Sequence, residues 1–287
     1  MALILISVCT LVLTYARNGF SNPCQWESNY FCLRVVDASD PQYGTAKALI
    51  LDHLLHGINH EAEPDLLISS YVHAMDEIVR VFFQAQQDSH LRYFFAGGGA
   101  YTQPRAVKAM YPSARITVAE LDPQVTATAE EALYVNNDGM EIIHLDARAV
   151  LQTNQQQYDV IVTDVFHDIS VPYHLVTQEF AQSVKQNLSE EGLYLVNIVD
   201  AFPDAKLVKS LIKTLQQEFS HVDVWLDVCI HEQRRGDGNV IAGCHHCSET
   251  DQNPGFETFD PTFFFLAAGW QDDFNRHSCQ YPGNQYR

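Results

Sequence analysis

Basic side chains are scarce in this chain. Its 287 residues carry 17 Lys and Arg against 36 Asp and Glu, a formal net charge of -19 at pH 7. That balance argues against a nucleic-acid partner, because binding to phosphates rests on cationic side chains. It suits a cationic substrate or product drawn in by the long-range field. Long apolar runs are short too. Residues 1–16 (M-A-L-I-L-I-S-V-C-T-L-V-L-T-Y-A) are uncharged, yet a bilayer crossing needs about 20 residues. The run fits the apolar region of a signal peptide, with Thr14-Tyr15-Ala16 as a cleavage site. It fits equally the last part of a longer membrane region. No basic residue precedes it, and Arg17 follows it, which favours a membrane-associated protein with its C-terminal portion on the cytoplasmic face. Export to an oxidising compartment is the alternative.

A complete metal-ligand set is also missing. Of seven cysteines, Cys9 lies in the apolar run, leaving Cys24, Cys32, Cys229, Cys244, Cys247 and Cys279. An even remainder beside an export-like start suggests disulfides, and Cys24 and Cys32 flank a short segment that could pair. Cys244-His245-His246-Cys247 looks like half a zinc site, with Cys229 and His231 near it. No second pair stands at a metal-binding spacing, so no metal is expected. Internal repeats and low-complexity tracts are absent.

What is present centres on Tyr93 to Asp122. Tyr93–Ala96 is a short apolar run suited to a buried parallel strand. Gly97, Gly98 and Gly99 follow at once and let a ligand approach the backbone closely. Pro104 sits where a first helical position would fall. A second strand, Arg115 to Leu121, delivers Glu120 at its carboxyl end, placed to accept the hydroxyls of a ribose. The dinucleotide fingerprint needs a third spaced glycine, and Thr102 stands there instead. The stretch therefore points to a nucleoside without a pyrophosphate, as in S-adenosylmethionine enzymes, and away from NAD.

The rest of the chain alternates in the same way. Cys24 to Asp37, the turn-like Ser39 to Gly44 and Ala46 to His56 form a small N-terminal unit. Leu66 to Gln87 has helical spacing of Ile68, Val72, Met75, Ile78, Val79, Phe82 and Phe83. After the central unit, Pro123–Leu133 is helical, Glu141–Leu145 is a strand ending at Asp146, and Tyr158–Thr163 is a strand ending at Asp164. A helix over Thr177–Asn187, a strand over Gly192–Val199 and a helix over Pro203–Phe219 follow. Val222–Val228 and Thr262–Ala268 supply two last strands with no clear helix between them, as for an antiparallel edge. The pattern predicts an α/β fold, a Rossmann-like doubly wound sheet with a small N-terminal β-unit. Three segments are expected: 1–16 apolar, 17–62 the β-unit, and 63–287 the adenosyl-binding domain. In such sheets ligands bind beyond the carboxyl ends of the strands, where the glycines, Glu120, Asp146 and Asp164 all fall. Asp146 is placed both to cap the following helix and to accept an adenine amino group. Asp164 opens the unusual run V-F-H-D-I-S-V-P-Y-H.

Glu27-Ser28-x-Tyr30, G-G-G, A-E-L-D, H-L-D-A-R and Y-D-V-I-V-T-D together resemble the spermidine synthase family of aminopropyltransferases. The resemblance covers about Glu27 to Val228, and it is nearest to the branch fused to membrane-spanning segments. It implies a methyltransferase-like α/β domain after an N-terminal β-unit. It implies that Gly97, Gly98, Gly99, Glu120 and Asp146 hold the adenosyl group and that Asp164 is the catalytic base. Asp168, Tyr71, His73 and Tyr173 are the implied amine-side residues. Decarboxylated S-adenosylmethionine, or S-adenosylmethionine, would be a co-substrate rather than a permanently bound cofactor, a diamine the acceptor, and a homodimer the assembly.

The departures fall on the amine end. The family's acid after the third glycine is Ala100 here, which relaxes the demand for a decarboxylated donor. The second acid of the family's Asp-Ser-Ser-Asp-Pro segment is shifted to Asp168, and Tyr71-Val72-His73 only echoes the Tyr-(His/Gln)-Glu triplet. Cleavage of S-adenosylmethionine without an amine, and a non-catalytic nucleoside-binding domain, are the alternatives.

Overall fold

The computed structural model describes residues 7–8, 10–14, 22–85, 89–166, 170–201, 204–227 and 262–269. The N-terminal unit is an antiparallel sheet of β1 (Trp26–Glu27), β2 (Cys32–Asp37), β3 (Ala46–Leu51) and β4 (Leu54–His60), paired in that order. The run Ala46 to His56 was expected as one stretch. It is two strands, because Asp52 takes a left-handed turn (φ 52°) and its main chain folds back. Cys24 and Cys32 do pair, as a disulfide with Cα atoms 5.1 Å apart.

The second sheet carries the site. Its strands are β5 (Arg92–Ala96), β6 (Arg115–Ala119), β7 (Met140–Ile143), β8 (Tyr158–Thr163), β9 (Leu188–Asp200), β10 (His221–Asp227) and β11 (Thr262–Gly269). The spatial order is β10-β11-β9-β8-β5-β6-β7. Strands β5 to β9 run parallel, and β11 and β10 are antiparallel additions at one edge. The chain steps outward from β5 to β7, then returns to the other side of β5 with β8. That reversal makes the β5–β8 boundary the switch point, where the carboxyl ends diverge and leave a crevice.

Helices cover both faces. One apolar cluster joins Leu33, Leu49, Met75, Val79, Val107, Val125 and Ala129 to Tyr93, Phe95 and Val118 on one face of the sheet. The other joins Val150, Phe180, Val184, Val208 and Leu211 to Phe94, Ile161 and Val196. Strand alternation explains the split, since Phe94 and Phe95 point to opposite faces. The helices are α1 (Ser70–Phe83), α2 (Thr102–Met110), α3 (Pro123–Ala132), α4 (Ala147–Thr153), α5 (Gln178–Asn187) and α6 (Lys206–Leu215).

Several boundaries differ from expectation. Helix α1 is shorter than Leu66–Gln87, because Ser69 is extended and Gln84 is left-handed (φ 48°). Pro104 is the third residue of α2, not the first, still within the turn whose N–H groups lack helical partners. Helix α6 lies inside the expected Pro203–Phe219, and β9 outruns Gly192–Val199 at both ends. Cys229, His231, Cys244, Cys247 and Cys279 lie outside the described residues. Among the described residues no helix is long and apolar enough to cross a membrane, and no metal-binding cluster of His, Cys, Asp and Glu occurs.

The two sheets are joined by a buried amide. Asn59 on β4 donates from Nδ2 to the carbonyls of Ala100 (2.8 Å) and Leu133 (3.0 Å) and is fully buried. Asn59→Ala strands two carbonyls at once. It should lower stability by about 2–4 kcal/mol in urea unfolding, whereas a change under 0.5 kcal/mol would mean that the amide is not a structural tie.

Candidate active site

The glycine turn is built by close approach. Gly97 follows β5 at φ +91°, and a Cβ there would fall 2.6 Å from the carbonyl oxygen of Asp164. At Gly98 a Cβ would meet the ring of Tyr101 at 2.5 Å. A side chain at either position would push the turn away from β8 or unseat Tyr101, whose hydroxyl is buried against Thr126 Oγ1 at 2.7 Å. Glu120 grips this turn from the next strand. Its Oε2 accepts the N–H groups of Gly98 (2.8 Å) and Gly99 (3.3 Å), and its Oε1 accepts that of Asp122 (2.9 Å). Burial pushes the Glu120 carboxyl above its ordinary range, and these N–H donors pull it back.

Asp164 follows β8 directly across the crevice. Its Oδ2 accepts from the Tyr71 hydroxyl at 3.1 Å and its Oδ1 from Asn197 Nδ2 at 2.9 Å. Burial raises its pKa, and the bonds from Asn197 and Tyr71 oppose the rise. Tyr71 is held well above the usual phenol range by burial and by the neighbouring Asp164. Both side chains line a pocket of about 40 Å³ with His56, Gly97, Gly98, Gly99, Thr102 and Asn197. Burial drives the His56 imidazole down to about 4, against a weaker pull from Asp52, so it is neutral at pH 7. His56 Nε2, Thr102 Oγ1 and Asn197 Oδ1 are buried without a hydrogen-bond partner. Three orphaned polar atoms on one small pocket mark a place where a polar ligand group completes the bonding.

Asp146 lies apart from that pocket. Its Oδ1 caps α4 by accepting the N–H groups of Arg148 (3.0 Å) and Ala149 (3.2 Å). Its Oδ2 meets His174 Nε2 at 2.7 Å. The capping role is therefore real, and one carboxylate oxygen still faces a polar partner at the rim. Leu121 and Leu145, 43% and 56% exposed, follow Glu120 and precede Asp146. They leave apolar surface at the rim, where a flat base could lie.

The expected site residues therefore divide. The glycines, Tyr71 and Asp164 share the pocket. Glu120 is joined to it through the glycine amides, and Asp146 stands two strands from β5. Of the three carboxylates expected around one adenosine, Asp164 lines the pocket, while Glu120 and Asp146 lie outside its wall. His73 is exposed on α1 and lines nothing here. A helix advances about 100° per residue, so two positions past Tyr71 face away. Tyr173 is 83% exposed, with its ring edge-on to His174, on the Asp146 side and outside the pocket. Asp168 lies outside the described residues. Ala100 is also off the pocket wall. It is buried against β4, where a Cβ on Gly57 would sit 2.8 Å from its own, so its small side chain serves packing.

Residues 95–232 match the spermine/spermidine synthase domain. A polyamine aminopropyltransferase of Vibrio vulnificus is 33% identical over 110 residues, covering 37% of this chain and 37% of that protein. A probable spermidine synthase from Corynebacterium glutamicum superposes with a TM-score of 0.66 at 24% identity, over 85% of this chain and 78% of its own. A spermidine synthase in complex with the transition-state analogue AdoDATO superposes at 0.54 with 16% identity, over 85% of this chain and 70% of its own. The chain thus spans little more than a third of the Vibrio relative's length, while the fold extends over most of the chain.

Asn197 and His56 were not singled out in the sequence. Asn197 had a readable signal, being the one polar residue in the run L-Y-L-V-N-I-V. His56 had none, since its place depends on β4 folding over the glycine turn.

A buried carboxylate with a raised pKa weakens the fold once ionised. The folded state then holds its proton longer than the unfolded state, so stability falls as pH rises above the ordinary carboxylate value. Asp164→Asn should therefore stabilise the protein by about 1 kcal/mol at pH 8. The gain should vanish by about pH 4, near the unfolded carboxylate value. Urea midpoints measured at both pH values decide it, and a gain that is equal at both would show that the charge is not the cause.

Proposed function

We propose that this α/β domain transfers an aminopropyl group from decarboxylated S-adenosylmethionine to a diamine and releases methylthioadenosine. The observation that carries the reading is Asp164: a buried carboxylate at the switch point, aimed by Tyr71 and Asn197 into a pocket floored by glycine backbone. In the proposal the adenine rests between Leu121 and Leu145 with its amino group on Asp146. The ribose hydroxyls bond to Glu120, and the sulfonium tail enters the pocket past Gly98.

The chemistry follows from charge. An alkyl diamine is protonated at neutral pH, with pKa values of about 10 like lysine, and an ammonium has no lone pair to attack with. Asp164 holds that ammonium as an ion pair and takes one proton as the nitrogen closes on the methylene beside the sulfonium. The nitrogen–carbon bond forms while the carbon–sulfur bond breaks. The bonding pair returns to sulfur, which leaves as a neutral thioether and needs no acid. Burial helps twice: it raises the basicity of Asp164 and excludes water that would compete for the proton. Placing both reactants in one crevice supplies much of the remaining acceleration. The net charge of -19 concentrates both cationic substrates near the protein.

Purified protein given decarboxylated S-adenosylmethionine and putrescine should produce methylthioadenosine and the aminopropylated amine in equal amounts. Asp164→Asn should lower the rate by about 100- to 10,000-fold while methylthioadenosine still binds. No nucleoside product with any diamine, or equal product with the amine omitted, would overturn the proposal.

A further inference from the structure

The ribose-side carboxylate is held from outside the α/β sheet. The Cys24–Cys32 disulfide closes the β1–β2 hairpin, where Glu27 pairs with Cys32. At the turn of this hairpin, Ser28 Oγ accepts the N–H groups of Tyr30 (3.0 Å) and Phe31 (2.9 Å). Its hydroxyl donates across to Asp122 Oδ2 at 2.5 Å. Asp122 is 2% exposed. Its other oxygen caps α3 through the N–H of Gln124 at 3.0 Å, and its own N–H donates to Glu120 Oε1. Glu120 then holds Gly98 and Gly99.

Two buried acids thus stand two residues apart, and burial raises the Glu120 pKa, with a smaller push from the Asp122 charge. Each needs donors to stay in place. Asp122 receives a side-chain donor from the hairpin, 94 residues away in sequence. Without that hydroxyl, the buried Asp122 Oδ2 loses its side-chain donor and is left under-bonded. The nearest relief is rotation of Asp122, which drags the N–H that fixes Glu120. Strand β1 is only two residues long, too short to hold the turn by pairing alone. The covalent bridge beside it restricts the hairpin in its place.

We propose that Ser28, pinned by the Cys24–Cys32 bond, is a positioning residue for the Glu120 carboxylate. The N-terminal hairpin thereby sets nucleoside affinity without touching the nucleoside. The affinity half of this claim rests on Glu120 binding ribose; the positioning half does not.

Two measurements on the full chain test it. Calorimetry with methylthioadenosine should show about tenfold weaker binding by Ser28→Ala, restored by Ser28→Thr. Its analogue lacking both ribose hydroxyls should bind parent and variant alike, because the lost contact runs through Glu120. The double variant Cys24→Ser, Cys32→Ser should weaken methylthioadenosine in the same ribose-dependent way. Amide exchange without ligand should speed up about tenfold at Gly98 and Gly99 in Ser28→Ala. Unchanged exchange at those amides overturns the positioning claim. Equal losses for both nucleosides overturn its route through the ribose. If the parent binds no methylthioadenosine while the exchange effect appears, the proposed function fails and the positioning stands.

Discussion

One carboxylate holding two glycine amides is the constraint on which the rest of the site depends. Glu120 reaches from the end of β6 to Gly98 and Gly99, at the end of β5. Those amides point inward only because the turn has no side chains to obstruct it. Gly97 in turn lies so close to the Asp164 carbonyl that nothing larger fits. The turn is therefore clamped on one side by charge and on the other by contact. The pocket that Asp164 and Tyr71 share is the space this clamp leaves open. A loosened Glu120 would move the turn and the pocket floor together.

The site is expensive in electrostatic terms. Glu120 and Asp164 are buried acids whose surroundings favour the neutral form, and Asp122 adds a third negative group beside them. A fold selected for stability alone would place amides or apolar groups there. Hydrogen bonds from main-chain N–H groups, Tyr71, Asn197 and Ser28 offset part of the cost. A cation in the pocket relieves the remainder, which is the role the proposed substrates would fill. Strain of this kind, concentrated at one end of the sheet while the two apolar clusters are well packed, is the usual signature of a working site.

Much of this was legible in the order of residues. The apolar runs marked the strands, and the acids at their carboxyl ends followed by rule. The antiparallel end of the sheet was readable from two strands without an intervening helix. Helix α1 was read too long because apolar spacing persists beyond both ends. The extended backbone at Ser69 and the left-handed one at Gln84, not side-chain pattern, stop it. His73 was grouped with Tyr71 by adjacency in a motif, yet helical rotation separates them. Ala100, where the family's pattern has an acid, is buried against Gly57 of β4, a contact that no spacing in the sequence shows.

The amino-acid order by itself determined the doubly wound architecture, the glycine turn and the identity of the acids, because strand alternation and glycine's freedom are local properties. Only the tertiary structure decided which of those acids lines the pocket. That depended on the sheet reversing between β5 and β8, and on β4 laying His56 over the turn. It depended also on a disulfide-closed hairpin delivering Ser28 to Asp122. Contacts between segments so far apart in the chain are set by packing, and no spacing within a segment encodes them.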